Sequence, residues 1–108
     1  MKRLYLAAPY TSPCKELILS RVEAVNKLAA SLMDQGYCVF SPISHSHPIS
    51  EYTKADALDH DFWLNQDLEF MEWADEVWVY KLAGWEESRG IKREIEYANK
   101  LGKVIKWI

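Results

Sequence analysis

Four short apolar runs, separated by longer segments with helical spacing, constrain the fold of this chain most strongly. The runs occupy residues 4–8, 37–40, 76–82 and 103–108. A short apolar run with a turn residue beside it, as Pro9 follows the first, is typical of a buried strand. The sequence therefore predicts four strands with a helical segment between each pair.

The first helical segment carries apolar residues at three- and four-residue steps, as expected for an amphipathic helix. They are Leu17, Ile18, Val22, Val25, Leu28, Ala29 and Leu32. Ser12 is the predicted N-cap, and Pro13 occupies the first helical position, where a missing N–H costs nothing. Gly36 is the predicted C-terminal cap.

The order of the remaining segments indicates the fold class. Residues 41–55, rich in Ser, Pro and His, are predicted to be a loop. A helix follows over residues 56–73, with a break allowed near residues 60–61, and the last helix covers residues 90–101. A β-α-β-α-β-α-β order predicts a three-layer, Rossmann-like (flavodoxin-like) parallel sheet of four to five strands with helices on both faces.

Length and charge limit the partners of the chain. Its 108 residues suit one domain spanning residues 1–108, and 49% of them are hydrophobic, enough for a packed core. The net charge of −3 argues against a nucleic-acid polymer as partner. No apolar run is long enough for a membrane span or a signal peptide, and Cys14 and Cys38 form no disulfide framework. We therefore expect a cytoplasmic protein without a membrane partner.

In a parallel α/β sheet, ligands bind beyond the carboxyl ends of the strands. The loops predicted to meet there cover residues 9–13, 41–50 and 83–90. The dinucleotide fingerprint G-x-G-x-x-G and the P-loop pattern are both missing, so we predict no cofactor.

The segment over residues 84–94 is the most informative of these loops. Unpaired N–H groups at the start of the last helix favour an anion, and Ser88 and Gly90 suit a close phosphate. Glu94 lies one turn further along, where the helix dipole is expected to keep its carboxylate ionised for nucleophilic attack. The alternative is that Ser88 is only an N-cap and Glu94 pairs with a surface lysine, and local spacing leaves both interpretations open.

Asp67 is a second candidate. The apolar residues Leu64, Leu68 and Met71 place it beside a buried stripe, where it can act as a general acid or orient a substrate. A solvated helical face is the alternative.

Histidine and aromatic residues complete the candidate set. The His45-Ser46-His47-Pro48 segment resembles a metal pair, but a third ligand is not evident, so we predict no metal and assign His45 to the lining of a ligand pocket. Trp85 and Tyr10 lie near the predicted phosphate site, where aromatic rings suit a nucleotide.

At these positions the chain resembles the nucleoside 2-deoxyribosyltransferase superfamily over nearly its whole length. Within that superfamily it looks closest to the 2′-deoxynucleoside 5′-phosphate N-hydrolases and to small uncharacterised bacterial and phage relatives. The resemblance rests on the L-Y-L-A-A-P-Y segment at residues 4–10 and the D-L-E segment at residues 67–69. It also rests on Ser88-x-Gly90-x-x-x-Glu94-x-x-x-Ala98, followed by Gly102-Lys103.

The resemblance implies a role for each matching residue. The glutamate at position 94 would attack the anomeric carbon of the sugar and form a glycosyl-enzyme, as in a retaining glycosidase. Asp67 would assist the leaving base or position the sugar, and Tyr5 would lie near the nucleophile. Ser88, where the transferases carry aspartate, implies a nucleoside 5′-monophosphate as substrate and hydrolysis as the reaction.

One departure concerns the phosphate. The hydrolases usually grip it with a glycine- and arginine-containing loop after the first strand, but here that loop, with Pro9 and Tyr10, has no arginine. Arg21 or Arg89 would have to replace it.

Two other functions remain open at this point: a module that binds a nucleotide or nucleoside without turnover, and a deoxyribosyltransferase. We also expect a homodimer or larger homo-oligomer, because the apolar content is high for so short a chain.

Overall fold

A computed structural model describes residues 1–56 and 59–108. None of the helices in these two ranges combines the length and apolar character needed to cross a bilayer. The elements, in chain order, are β1 (Arg3–Ala7), α1 (Lys15–Asp34), β2 (Cys38–Phe40), α2 (Pro42–Ile49), α3 (His60–Trp73), β3 (Glu76–Val79), a 3₁₀ turn (Trp85–Glu87), α4 (Arg89–Lys100) and β4 (Val104–Trp107).

All four described strands are parallel and form one sheet in the order β2-β1-β3-β4. The predicted Rossmann-like α/β class is confirmed. In this order the chain runs outward from β1 to β2 and then returns to place β3 on the other side of β1. The helices that follow β1 and β3 therefore diverge, and a crevice forms at the carboxyl ends of these two strands.

Strand β1 divides the core between the two faces of the sheet, because successive side chains of a strand point to opposite sides. Leu4 and Leu6 pack against the buried face of α1. Tyr5 and Ala7 face α3 and α4 and are fully buried there. The residues of β1 that point toward α4 are thus the ones that can reach a functional group on that helix.

Helix α1 ends as predicted but starts later. The Gly36 N–H bonds to the carbonyl of Met33 and the Tyr37 N–H to that of Leu32, with Gly36 at a φ of 99°, which is a Schellman motif. The predicted start at Ser12 and Pro13 is wrong. The helix begins at Lys15, and the Ser12 hydroxyl instead accepts from the Cys14 N–H at 3.0 Å.

The prediction of a loop over residues 41–55 is also wrong, because helix α2 occupies its first half. Ser41 is the N-cap, its hydroxyl accepts from the Ser44 N–H, and Pro42 fills the first turn. The next predicted helix, residues 56–73, is shorter in the structure: α3 starts at His60 with Asp59 as N-cap. Residues 57 and 58 of that prediction lie outside the described residues.

Arg21 joins two loops at the carboxyl end of the sheet. It is 8% exposed, and its guanidinium donates to the carbonyl oxygens of Tyr10, Thr11 and Ala83 at 3.1–3.3 Å. Gly84, beside the last of these, has a φ of 93°, and an added Cβ would overlap the guanidinium. The loops after β1 and β3 are therefore held together by one buried cation.

We expect Gly84→Ala to destabilise the protein by about 2–4 kcal/mol, through both the left-handed backbone and the clash with Arg21. Gly36→Ala is the matched control, since Gly36 has a similar φ of 99° but open space around it, and it should cost about 1–2 kcal/mol. Urea unfolding of the two variants measures the difference. Equal losses would contradict the proposed contact between Gly84 and Arg21.

Candidate active site

A cleft of about 450 Å³ opens at the carboxyl end of the sheet. Four parts of the chain line it: the loop after β1, helix α2, the first half of α3, and the start of α4. The lining residues are Ala8, Tyr10, Thr11, Pro42, Ile43, Ser46, His47, Ser50, His60, Trp63, Leu64, Asp67, Glu87, Ser88, Arg89, Gly90, Arg93 and Glu94.

Glu94 is held at this cleft by a buried hydrogen bond from the central strand. Its side chain belongs to the inward stripe of α4, between Ile91 and Ala98, and the residue is 8% exposed. The Tyr5 hydroxyl donates to Glu94 Oε2, and Tyr5 itself is fully buried. A surface pairing of Glu94 with a lysine, the alternative interpretation, is excluded by this burial.

The expectation that the helix dipole keeps Glu94 ionised is contradicted. Burial raises the pKa of Glu94 from 4.5 to about 8, the Tyr5 hydroxyl opposes that rise, and the charge of Asp67 adds to it. The dipole acts mainly within the first turn of a helix, whereas Glu94 is the sixth residue of α4. Desolvation therefore outweighs the dipole at this position.

Asp67 lines the same cleft from α3. Its Oδ1 is buried and has no hydrogen-bond partner within the described part of the chain. Burial raises the pKa of Asp67 to about 7. The alternative of a solvated helical face is therefore excluded, and a buried acceptor without a donor suggests a group that a ligand satisfies.

The start of α4 supplies the polar end of the cleft. The Ser88 hydroxyl is the N-cap and accepts from the Ile91 N–H at 3.2 Å. Because a hydroxyl can donate while it accepts, Ser88 retains a proton for an anion. Arg89 and Gly90 line the cleft beside it, as does Arg93, which the sequence analysis did not identify. The Arg93 guanidinium bonds Asp61 at 2.7 Å.

Helix α2 supplies the cleft wall on the other side of β1. Besides Pro42 at its start, the residues of α2 and its C-cap that line the cleft are Ile43, Ser46, His47 and Ser50. These four share one face because they lie three, four and seven residues apart. His45 is not among them; its ring lies against Phe40 and Phe70 at centroid distances of 5.4 and 5.9 Å. The assignment of His45 to the pocket is therefore wrong, and His47 lines it instead.

The sequence contained a pattern from which helix α2 could have been predicted. Ser41 followed by Pro42 is an N-cap and first-turn pair, and a helix started there would have placed His47 rather than His45 on the face that repeats with Ile43. The Ser- and His-rich composition and Pro48 concealed it, since such segments more often form loops.

Four other predicted residues do not line the cleft, and one of them, Tyr5, contacts it through its hydrogen bond to Glu94. Pro9, in the loop that follows β1, has a fully buried side chain. Trp85 packs on the core between the sheet and α3 and α4. Arg21 uses its guanidinium on three carbonyl oxygens, so of the two arginines considered for a phosphate only Arg89 remains available.

No metal site accompanies these groups in the part of the chain that the structure describes. Within residues 1–56 and 59–108, no cluster of three or more His, Cys, Asp or Glu side chains has the arrangement needed for a metal ion.

Comparison with known proteins identifies the family of this chain. Residues 2–107 match the family described as Domain of unknown function (DUF1937). The chain belongs to this family. No curated protein matches the DUF1937 chain.

Among solved structures, the DUF1937 chain is similar to the 2-deoxyribosyltransferase of the psychrotolerant bacterium Bacillus psychrosaccharolyticus. The TM-score is 0.71 at 24% identity, with 97% of this chain and 70% of that chain covered. This likeness shows a shared fold, and it confirms the resemblance found in the sequence at the level of the fold.

The raised pKa of Glu94 predicts how the stability of the DUF1937 chain depends on pH. Between pH 4.5 and about 8 the folded chain keeps a proton on Glu94 that the unfolded chain has released, so the free energy of unfolding falls as pH rises. Glu94→Gln does not titrate and still accepts from Tyr5. We expect it to match the wild type near pH 4 and to be more stable by about 2–4 kcal/mol at pH 8.

Urea unfolding at the two pH values measures this effect. Glu96→Gln, an exposed change on the same helix, is the matched control and should not alter the pH dependence. If the difference in free energy of unfolding between the wild type and Glu94→Gln were the same at both pH values, the raised pKa of Glu94 would be contradicted.

Proposed function

We propose that this protein is an N-glycosidase that hydrolyses the bond between base and sugar in a (deoxy)nucleoside 5′-monophosphate. One observation carries the proposal: the buried carboxyl of Glu94, bonded by Tyr5, faces the same cleft as the Asp67 oxygen that has no hydrogen-bond partner among residues 1–56 and 59–108. A glycosidase that works through a covalent intermediate uses two carboxyl groups in one site, and this desolvated cleft contains such a pair.

The protonation of the pair suits the first step. The pKa values of Asp67 and Glu94, about 7 and about 8, are close enough that the two carboxyls together hold one proton between these values. The order of the two pKa values places that proton on Glu94. The reactive form is the one in which the proton has moved to Asp67, and the Tyr5 hydroxyl, which stabilises a negative charge on Glu94, favours that form.

In that form, a Glu94 carboxylate oxygen bonds to the anomeric carbon as the bond from that carbon to the base nitrogen breaks. The electron pair stays on the base, which takes the proton of Asp67. Water then bonds to the anomeric carbon, its proton passes to the Asp67 carboxylate, and the Glu94 carboxylate is released. Free base and sugar phosphate result, and the enzyme returns to its starting state.

The polar end of the cleft supports a 5′-phosphate. The groups available to it are Ser88 Oγ, the backbone N–H groups of the first turn of α4, Arg89 and Arg93. Arg93 is shared with Asp61, so a phosphate would compete with that carboxylate for the guanidinium.

Deoxyribosyl transfer is the second candidate, and the likeness in fold to a 2-deoxyribosyltransferase favours it. The two reactions share the first step and differ in whether water or a second base attacks the glycosyl-enzyme. Addition of a second free base to the reaction distinguishes them, since only a transferase forms the new nucleoside or nucleotide.

We expect Glu94→Gln to lower the rate of base release from a deoxynucleoside monophosphate by a factor of about 10³ or more, because an amide cannot form the glycosyl-enzyme. Chromatography of the released base from a panel of nucleoside monophosphates measures it. Glu96→Gln serves as the control. Binding without base release by the wild type would instead identify a sensing module, and full activity of Glu94→Gln would overturn the mechanism.

Ser88→Asp tests the phosphate assignment without removing the N-cap, because aspartate caps as well as serine. Its carboxylate would repel the phosphate, so we expect KM for nucleotides to rise by about 100-fold while KM for the matching nucleosides changes little. Steady-state kinetics on nucleotide and nucleoside pairs measure the two values. A parallel change in both would show that Ser88 does not contact the phosphate.

A further inference from the structure

We propose that His47, oriented by Tyr10, is the hydrogen-bond donor that selects the nucleobase, so the preferred base presents an acceptor atom to α2. This inference rests on the proposed function and adds the selection among bases, which the proton transfer from Asp67 does not provide.

The topology places His47 where a base would lie. Helix α2 follows β2 and the start of α4 follows β3, and these strands flank β1 on opposite sides. A nucleotide with its phosphate at Ser88 and its anomeric carbon at Glu94 extends its base away from α4, because the base and the 5′-carbon leave the sugar ring from different carbons. The base therefore points toward the wall formed by α2 and the loop after β1.

His47 is fixed in that wall by contacts on two sides. Its Nδ1 lies 2.7 Å from the Tyr10 hydroxyl, and the two rings meet edge to face at 5.7 Å. The Ser50 hydroxyl donates to the His47 carbonyl oxygen at 2.6 Å and fixes the end of the helix. Both His47 and Tyr10 line the cleft.

The direction of the Tyr10 contact decides which ring nitrogen carries the proton, and the proposal takes the phenol as the donor to Nδ1. Burial raises the pKa of Tyr10 above its usual value, so its phenol keeps its proton. When that phenol donates to Nδ1, the proton of a neutral imidazole must be on Nε2. His47 then offers one donor and no acceptor to a ligand.

Apolar side chains near this donor suit a flat ring. Pro42 and Ile43 precede His47 on α2, and Trp63 and Leu64 line the cleft from α3. These groups would provide apolar contact area for an aromatic base, and the single donor would fix its orientation. Ring nitrogens and carbonyl oxygens of purines and pyrimidines are acceptors of the required kind.

Binding measurements on the Glu94→Gln protein, which is expected to bind without turnover, test the inference. The probes are the four deoxynucleoside 5′-monophosphates and 2-deoxyribose 5-phosphate, which lacks a base, titrated in a calorimeter. His47→Phe keeps the ring and removes both nitrogens. We expect it to weaken the tightest nucleotide by about 10- to 100-fold and to leave 2-deoxyribose 5-phosphate unchanged within about twofold.

His45→Phe is the matched control, since His45 is on the same helix but outside the cleft, and it should alter neither affinity. Tyr10→Phe removes only the orienting phenol and should weaken the nucleotide alone by about 3- to 10-fold, which keeps the test valid should His47→Phe unfold. A further probe is an analogue of the tightest nucleotide in which C–H replaces the acceptor atom of the base that faces His47. It should bind weakly to the Glu94→Gln protein, and adding His47→Phe should not lower its affinity further.

The outcomes separate the two proposals. Equal losses for nucleotide and sugar phosphate, or no loss for either, would overturn the role of His47 and leave the proposed function intact. The proposed function would be overturned together with this inference if two results occurred together: the Glu94→Gln protein with His47 intact binds none of the probes, and the wild type releases no base.

Discussion

The hydrogen bond from Tyr5 to Glu94 is the interaction on which the site depends. It joins the central strand of the sheet to the last helix inside the core. A carboxyl can occupy that position only because it has a donor there, since a buried polar group without a partner is costly. The same bond gives Glu94 one orientation, so the packing of the fold and the position of the reactive group are decided together.

The two buried carboxyls of the site lower the stability of the fold. Both Asp67 and Glu94 are buried enough to raise their pKa values to about 7 and about 8, and Asp67 Oδ1 has no donor within the described residues. An apolar pair would pack better at these positions. Carboxyls kept under these conditions fit a site that stabilises charge only when a ligand supplies the missing contacts.

The loops around the cleft are held by different means on each side. Arg21 ties the loop after β1 to the loop after β3 through three carbonyl oxygens, while Tyr10 ties the first of these to His47 on α2. A charged side chain and a ring pair thus set the distance between the α4 start and the α2 wall.

The sequence alone determined the order of the four strands and of helices α1, α3 and α4, and the end of α1, because apolar periodicity and Gly36 act locally. It also determined Glu94, Asp67, Tyr5 and Ser88 as candidates through their spacing and their resemblance to a family. It did not determine α2, whose polar, proline-containing residues are helical only because Ser41 caps them and the helix packs on α1 and β1.

The tertiary structure decided which candidates meet. It directed Arg21 into a contact between loops, turned His45 away and brought His47 and Arg93 to the cleft. These outcomes depend on contacts between residues far apart in the chain, and no local pattern encodes them. The charge state of Glu94 was decided the same way, because desolvation by the assembled core outweighs the dipole of its own helix.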